Sequence, residues 1–496
     1  NEAGRQAALQ GAREGTVLLK NENALLPIDS AKTRTILVVG PNVHPAVVGG
    51  GGSSKTEPFT SVSILAGLVA NAGTDTKVLH TQGIPSLTDM VRDTKFSTDR
   101  AGKMPGMRAQ YFASDDLSGK AVINRVEPGA QIGVGSSGPL YPPDTASERW
   151  TGYYTATEDG TFDVVVASAG DRGGYYRVFI DDELVFDSWT LNTAIVDYVT
   201  LELAAGPHKV VFEHRGRQKW PGDRLLLAIS QHGDRVSDAA RAMAANADVV
   251  VVAAGFDDST ESEGADRTFK LPAAQDELIN AMVETNQQTV VVMTSGGAVD
   301  MTAWLDRVPA LLQAWYPGQE GGTAIAEVLF GAVNPSGRLP ATFERRWEDN
   351  PSYDSYYPEP GTLRIHYKEG IFVGYRGFES KNVKPLFPFG HGLSYTSFEY
   401  SELSISPDRT NDGNVVVSFD LTNAGSRAGA EVAQIYVADS HSDVPRPPKE
   451  LKGFSKVFLE PGETTRVSVE LDRRSFAYYD VETKAWQVTP GTFGIL

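Results

Sequence analysis

The feature that most constrains this chain is a pattern that stops and then resumes. Over residues 33–90, and again over 237–345, short β-branched runs alternate with helix-like segments. Thr35 to Val39 is one such run and ends at Gly40 and Pro41, while a helical stretch from Ile64 to Val69 closes at Gly73. After an alanine-rich helical run from Asp238, the segments 248–254 and 289–294 read as strands. Between them, a helix predicted over 271–285 places Leu278, Ile279, Met282 and Val283 on one face. Unbroken apolar strands separated by amphipathic helices predict a parallel sheet covered on both sides.

The interruption, residues 105–232, has period two and is rich in Tyr, Gly and Asp, with turn chemistry at Asp159-Gly160 and Ala205-Gly206. It predicts an antiparallel β-sandwich inserted into a loop of the α/β domain, because the α/β pattern continues beyond it. From residue 392 to the end, strand-like runs such as 415–422 and 430–437, separated by Gly, Asn and Ser clusters, predict a second, immunoglobulin-like sandwich. The fold class is therefore multidomain α/β plus all-β. The expected division is 1–104 for the first part of the α/β domain with its leading helix, 105–232 for the insertion, 233–345 for the second part, 346–391 for a linker, and 392–496 for the last sandwich.

At 496 residues, two to four domains are expected. A formal charge of −18 repels phosphate backbones and anionic lipid, which argues against nucleic acid as a partner. No apolar run reaches the length of a membrane span. The absence of cysteine excludes disulfides, thiolate metal sites and cysteine nucleophiles. The eight histidines have no metal-ligand spacing, and no cofactor motif is complete. The chain opens on a helix-favouring composition from Glu2 with no clear N-cap and ends within an apparent strand, so both ends read as trimmed.

The chemistry concentrates after the strand at 248–254. Residues 256–267 hold Asp257, Asp258, Glu261, Glu263 and Asp266 with a single Arg267, beyond the carboxyl end of a strand, where open α/β sheets bind ligands. Such crowding is expected to raise at least one carboxyl pKa, as a general acid requires. A solvated acidic loop is the plainer reading of the same composition. Gly49 to Thr56 nearly spells a phosphate loop, but Ser54 stands where the second glycine belongs.

Glu261-Ser-Glu-Gly-Ala-Asp-Arg267, followed by Leu271-Pro272, resembles the acid/base segment of family 3 glycoside hydrolases. Segments 13–27, 315–322, 334–340, 367–376, 387–395 and 446–454 resemble further motifs of that family in the same order. The insertion, with Trp150-Thr-Gly-Tyr and residues 179–185, resembles the protective-antigen-type lectin domain of some members. The resemblance implies an (α/β)6 sandwich interrupted by that domain and followed by a fibronectin type III-like domain. It implies Glu263 as general acid/base, with Glu261 its neighbour and Asp266 and Arg267 bracing the loop. For these two, an internal salt bridge is as good a reading as substrate contact. It also sets Gly51, Gly52, Ser53 and Ser54 facing the active site. Trp189, Trp220, Trp315 and Tyr316 are candidates for stacking on sugar, with core packing as the alternative, and His391 is expected to pack within the linker.

Retaining hydrolysis needs two carboxyl groups roughly 5–5.5 Å apart. In the family the nucleophile is an Asp on a (β/α)8 barrel that precedes the α/β domain, and this chain begins where that barrel should end. The resemblance thus implies release of nonreducing-end β-D-glucose from glucosides or oligosaccharides, with the nucleophile on a barrel outside these residues. β-Xyloside substrates remain open. A non-catalytic carbohydrate-binding or scaffolding fragment is the alternative, and a nucleotide-binding protein rests only on the defective glycine loop. Lectin-type sandwiches tilt the expected location outside the cytoplasm, and assembly into homo-oligomers stays open.

Overall fold

The computed structural model describes residues 1–132, 142, 144–169, 175–189, 195–216, 224–233, 235–264, 266–359, 361–407, 414–439, 441, 442 and 444–496. Its centre is a six-stranded sheet in the order Val17–Asn21, Ala310–Gln313, Thr289–Thr294, Val249–Gly255, Thr35–Val39, Lys77–Thr81. The first strand is antiparallel to its neighbour and the other pairings are parallel. Side chains alternate between two buried faces. Leu37, Val39, Val250 and Val252 meet Leu278, Ile279 and Met282 of the helix Gln275–Thr285 on one side. Ile36, Val38, Val249 and Val251 meet Leu68, Ile325 and Leu329 on the other. Burying a Val or Leu is worth about 1.5–3 kcal/mol, so both faces drive the sheet to its central position.

The helix Glu2–Gly15 lies outside Gly321–Leu329 and is tied to it by Arg5–Glu320 at 2.8 Å and Arg13–Glu327 at 2.5 Å. Against the sequence reading, this helix has an N-cap: the Asn1 side-chain Oδ1 accepts from the Gly4 N–H at 2.8 Å. The helix predicted from residue 271 starts at Gln275, because Ala274 adopts a left-handed φ of 74°.

Between the strand Lys77–Thr81 and the helix Asp238–Ala245 lies a sandwich of two antiparallel sheets. Trp150, Phe212, Tyr111 and Tyr176 of one sheet and Val164, Val166, Leu225 and Leu227 of the other form its core. The intervening residues Val165 and Ala228 face the opposite way and join the core of the α/β domain. Thr94 and Ile229 stitch the two ends of this insertion together, with the Ile229 N–H donating to Thr94 Oγ1 at 3.0 Å while the Thr94 hydroxyl proton is directed to the Met90 carbonyl at 2.7 Å.

A final sandwich packs Phe398–Ser406, Val415–Asn423 and Thr464–Leu471 against Glu450–Leu459, Gly429–Asp439 and Phe493–Ile495 around Val417, Phe419, Ile435 and Val467. It is fastened to the α/β domain by Arg338–Glu431 at 2.6 Å and by Asn334, whose amide donates to the Ala428 carbonyl at 2.9 Å. His391 packs in the linker, stacked on Phe387 with Nε2 2.9 Å from the Leu19 carbonyl. No helix among the described residues is long and apolar enough to cross a membrane.

Candidate active site

Beyond Gly255 the chain turns sharply around Asp257. Its carboxylate accepts from the Ser259 N–H at 3.0 Å, from the Ser259 hydroxyl at 2.7 Å and from the Thr260 hydroxyl at 2.9 Å. The turn delivers residues 261–263 alongside the glycine loop. Gly51 N–H donates to the Glu261 carbonyl at 2.8 Å, and Glu263 N–H donates to the Gly51 carbonyl at 3.4 Å. Gly52 has a φ of +88°, and a Cβ there would lie 2.4 Å from the Glu263 Cβ. The space left by that missing side chain is filled by the Glu263 segment, so the two loops fix each other's course.

Glu263 is exposed, and Ser53 holds it: the Ser53 N–H donates to Oε2 at 2.7 Å and the Ser53 hydroxyl donates to the same oxygen. The expectation that crowding raises a carboxyl pKa in this loop meets the reverse at Glu263. The hydroxyl and then the backbone N–H of Ser53 favour the ionised form and hold this carboxyl below the usual range. Ser54 instead lines a neighbouring cavity of about 530 Å³ with Lys55 and Asp258, which pair at 2.7 Å. Because Lys55 is paired there and with Glu57 at 3.1 Å, and because Glu263 sits on the loop, the glycine segment is no phosphate cradle.

Glu261 points away from Glu263's partners. Its carboxylate accepts from the Tyr316 hydroxyl at 2.7 Å and the Gly296 N–H at 3.1 Å, and pairs with Arg267 at 3.2 Å. A Cβ at Gly296 would lie 2.4 Å from its Oε1, so a side chain there would displace the Glu261 carboxylate. Burial and the bond to Glu261 push the Tyr316 hydroxyl pKa up. Arg267 also donates to the Ala298 carbonyl at 2.8 Å and lies over the Phe256 ring at 4.7 Å. Asp266 has different partners, the hydroxyls of Tyr356 at 2.8 Å and Tyr357 at 3.2 Å. Burial, then the bond to Asp266, pushes Tyr356 up to about 12. Arg267 therefore makes its internal salt bridge to Glu261, while Asp266 clamps the linker against the loop. The sequence held no signal for the two tyrosines, which lie 90 and 91 residues downstream of Asp266.

The insertion reaches the same loop, since the Ile195 N–H donates to the Asp266 carbonyl at 3.2 Å. Trp189 is stacked by Arg177 at 4.2 Å and Arg215 at 5.0 Å, and Trp315 donates to the Gly15 carbonyl at 3.0 Å. Trp220 lies outside the described residues. Between insertion and α/β domain, Asp163, His232 and Glu277 come within metal-ligand reach of one another. Their histidine spacing gave no hint of this. Arg235 already bridges the two carboxylates, 2.6 Å from Asp163 and bonded to Glu277, and makes the group an ion-pair knot.

The glycosyl hydrolase family 3 C-terminal domain matches residues 16–395, and a fibronectin type III-like domain matches 431–496. Probable beta-glucosidase I of Aspergillus fumigatus is 36% identical over 99% of this chain and 61% of its own length. Thermostable beta-glucosidase B of Acetivibrio thermocellus is 48% identical over 56% of this chain and 38% of its own. Among solved structures, DesR, a beta-glucosidase from Streptomyces venezuelae in complex with D-glucose, superposes with a TM-score of 0.71 at 32% identity, covering 99% of this chain and 58% of that one. The beta-glucosidase from Kluyveromyces marxianus in complex with glucose gives 0.66 at 30%, covering 99% and 60%. The chain thus spans at most 61% of the length of these relatives.

Proposed function

The chain belongs to glycoside hydrolase family 3, and on that premise we propose that it carries the general acid/base of a retaining β-glucosidase. Glu263 is that residue. The observation supporting it is an exposed carboxylate at the carboxyl edge of the sheet, on a loop that Asp257, Gly51 and Gly52 hold in one course. The nucleophile is a carboxylate on a (β/α)8 barrel facing this loop, and the substrates are β-glucosides or glucose-ended oligosaccharides.

In the first step the nucleophile's oxygen bonds to the anomeric carbon, the glycosidic C–O bond breaks, and Glu263 gives its proton to the departing oxygen. In the second, the Glu263 carboxylate takes a proton from water, whose oxygen bonds to the anomeric carbon and releases the nucleophile. The donors on Ser53 favour the ionised form, which suits the second step. For the first step, a second carboxylate at roughly 5–5.5 Å and exclusion of water supply the upward push that the acid needs. Glu261 is a positioning residue, since Arg267, Tyr316 and Gly296 N–H all converge on its Oε2 and hold the side chain within the loop. The contact from Ile195 to Asp266 supports a role for the insertion in bordering the leaving-group side.

The test is Glu263→Gln in protein that includes the barrel, assayed on aryl β-glucosides of graded leaving-group acidity. Turnover should fall by orders of magnitude for poor leaving groups and far less for good ones. Equal losses across the series would remove Glu263 from the acid's role. Sugar binding without any turnover in the unsubstituted protein would favour the binding-fragment reading.

A further inference from the structure

The order of the central sheet defines a crevice that the reading above leaves unused. From Thr35–Val39 the chain moves outward to Lys77–Thr81, then returns to the other side of Thr35–Val39 for Val249–Gly255, Thr289–Thr294 and Ala310–Gln313. The crossover direction therefore reverses between Thr35–Val39 and Val249–Gly255, and open α/β sheets bind ligands at such a reversal, beyond the carboxyl ends of the strands. A cavity of about 330 Å³ lies there, lined by Pro41 and Asn42 after one strand and by Gly255 and Asp257 at and beyond the end of the other. That volume is within the range of small-molecule sites. Glu261, Glu263, Asp266 and Arg267 are not among its walls.

Its far wall comes from the insertion. Val196, Ala167 and Leu226 stand opposite one another across three strands and, with Val165, give the crevice an aliphatic side. Ile84, Leu87 and Met90 extend it. The polar side is largely satisfied from within: the Asn42 amide donates to the Phe256 carbonyl at 3.0 Å, and Gln275 closes on Gly255 N–H and carbonyl at 2.7 and 2.8 Å. Asp257 is the one ionisable residue among the described lining; Ser259 and Thr260 donate to its Oδ1, which leaves Oδ2 to accept from a ligand hydroxyl. The Ser259 hydroxyl, donating to Asp257, keeps acceptor capacity. With no cation among the described lining residues, nothing there neutralises an anion.

We propose that this crevice is a second binding site, separate from the Glu263 site, for a neutral, largely apolar small molecule bearing a hydroxyl, such as a phenol or an aliphatic alcohol. The occupant lies between the insertion's sheet and the Asp257 turn, beneath the segment from which Glu261 and Glu263 hang. Binding is independent of catalysis and so of the function proposed above.

The experiment is calorimetric titration of the full chain with 1-naphthol, with 1-naphthoate and glucose as anionic and fully polar controls. It is repeated with Ala167→Phe, which fills the aliphatic wall, and with Thr88→Trp, which blocks the exposed rim and leaves the core intact. The expected result is a micromolar dissociation constant for 1-naphthol, weakened at least tenfold by Thr88→Trp and by Ala167→Phe where that variant folds, and no measurable binding of the controls. Absence of 1-naphthol binding, equal binding of 1-naphthoate, or unchanged affinity in Thr88→Trp would each overturn the proposal.

Discussion

Asp276 offers a sharp test of how burial shapes this domain. It sits in the first turn of Gln275–Thr285, accepts a hydrogen bond from Trp304 Nε1 at 2.8 Å, and lies near the like charges of Asp300 and Glu277. Burial above all, then those carboxylates, push its pKa from an ordinary 3.8 to about 6, against the bond from Trp304 and the charge of Lys270. Because the folded value lies above the unfolded one, the folded protein holds the proton more tightly over that window. Stability from this group is complete below pH 4 and is lost as pH rises through 6. A displacement of roughly two pH units is worth at most about 3 kcal/mol. Asp276→Asn keeps an acceptor for Trp304 and removes the buried charge, but forfeits about 0.3–1 kcal/mol of attraction to the helix N-terminus. The variant should therefore be more stable than the parent by about 1–2 kcal/mol at pH 8 and slightly less stable at pH 4. Urea unfolding followed by tryptophan fluorescence at the two pH values measures this. Parallel pH profiles for the two proteins would refute the raised Asp276 pKa.

Three further outcomes follow from the site. Ser53→Ala should raise the Glu263 pKa towards the ordinary carboxylate range, as read by carbon-13 NMR titration of the Glu263 carboxyl, because the hydroxyl donor does most to favour the ionised form; no upward movement would mean that the contact is not made in solution. Gly52→Ala should cost about 1–3 kcal/mol locally, since it strains a φ of +88° and drives a methyl into the Glu263 Cβ; hydrogen exchange of the Gly51 and Glu263 amides should speed up while distant strands keep their protection. Arg235→Met should destabilise the junction with the insertion by about 3 kcal/mol, because Asp163 and Glu277 lose the guanidinium between them and keep only His232 as a shared partner; a melting temperature equal to the parent's would show that the knot contributes nothing.

How legible was all this in the sequence? The strands were, because parallel strands buried on both faces are written in unbroken apolar runs, as in 249–252 and 290–292. The helix after residue 271 was legible in type but not in start, since its first residue is fixed by Gln275 closing onto Gly255 of the preceding strand. That is a tertiary bond with no local signature. At the site, motif and chain order pointed to Glu263 and Ser53, which the fold joins. They could not reveal that Arg267 pairs with Glu261 and not Asp266, that two linker tyrosines hold Asp266, or that donors outweigh crowding at Glu263. Each of these depends on loops brought together from separate parts of the chain.

The stitch between Thr94 and Ile229 has a consequence for how the chain reaches its native state. Thr35 N–H bonds to the Asp248 carboxylate at 2.8 Å, and 213 residues separate them. Left as an open loop, that span would make the central pairing slow, because closure entropy must be met before the contact is rewarded. The insertion's strands pair among themselves, and once its ends meet, 135 of those residues are bypassed. The two distant strands then search for each other as near neighbours. The inserted sandwich, whatever it does for ligands, would act as a kinetic shortcut for the domain it interrupts.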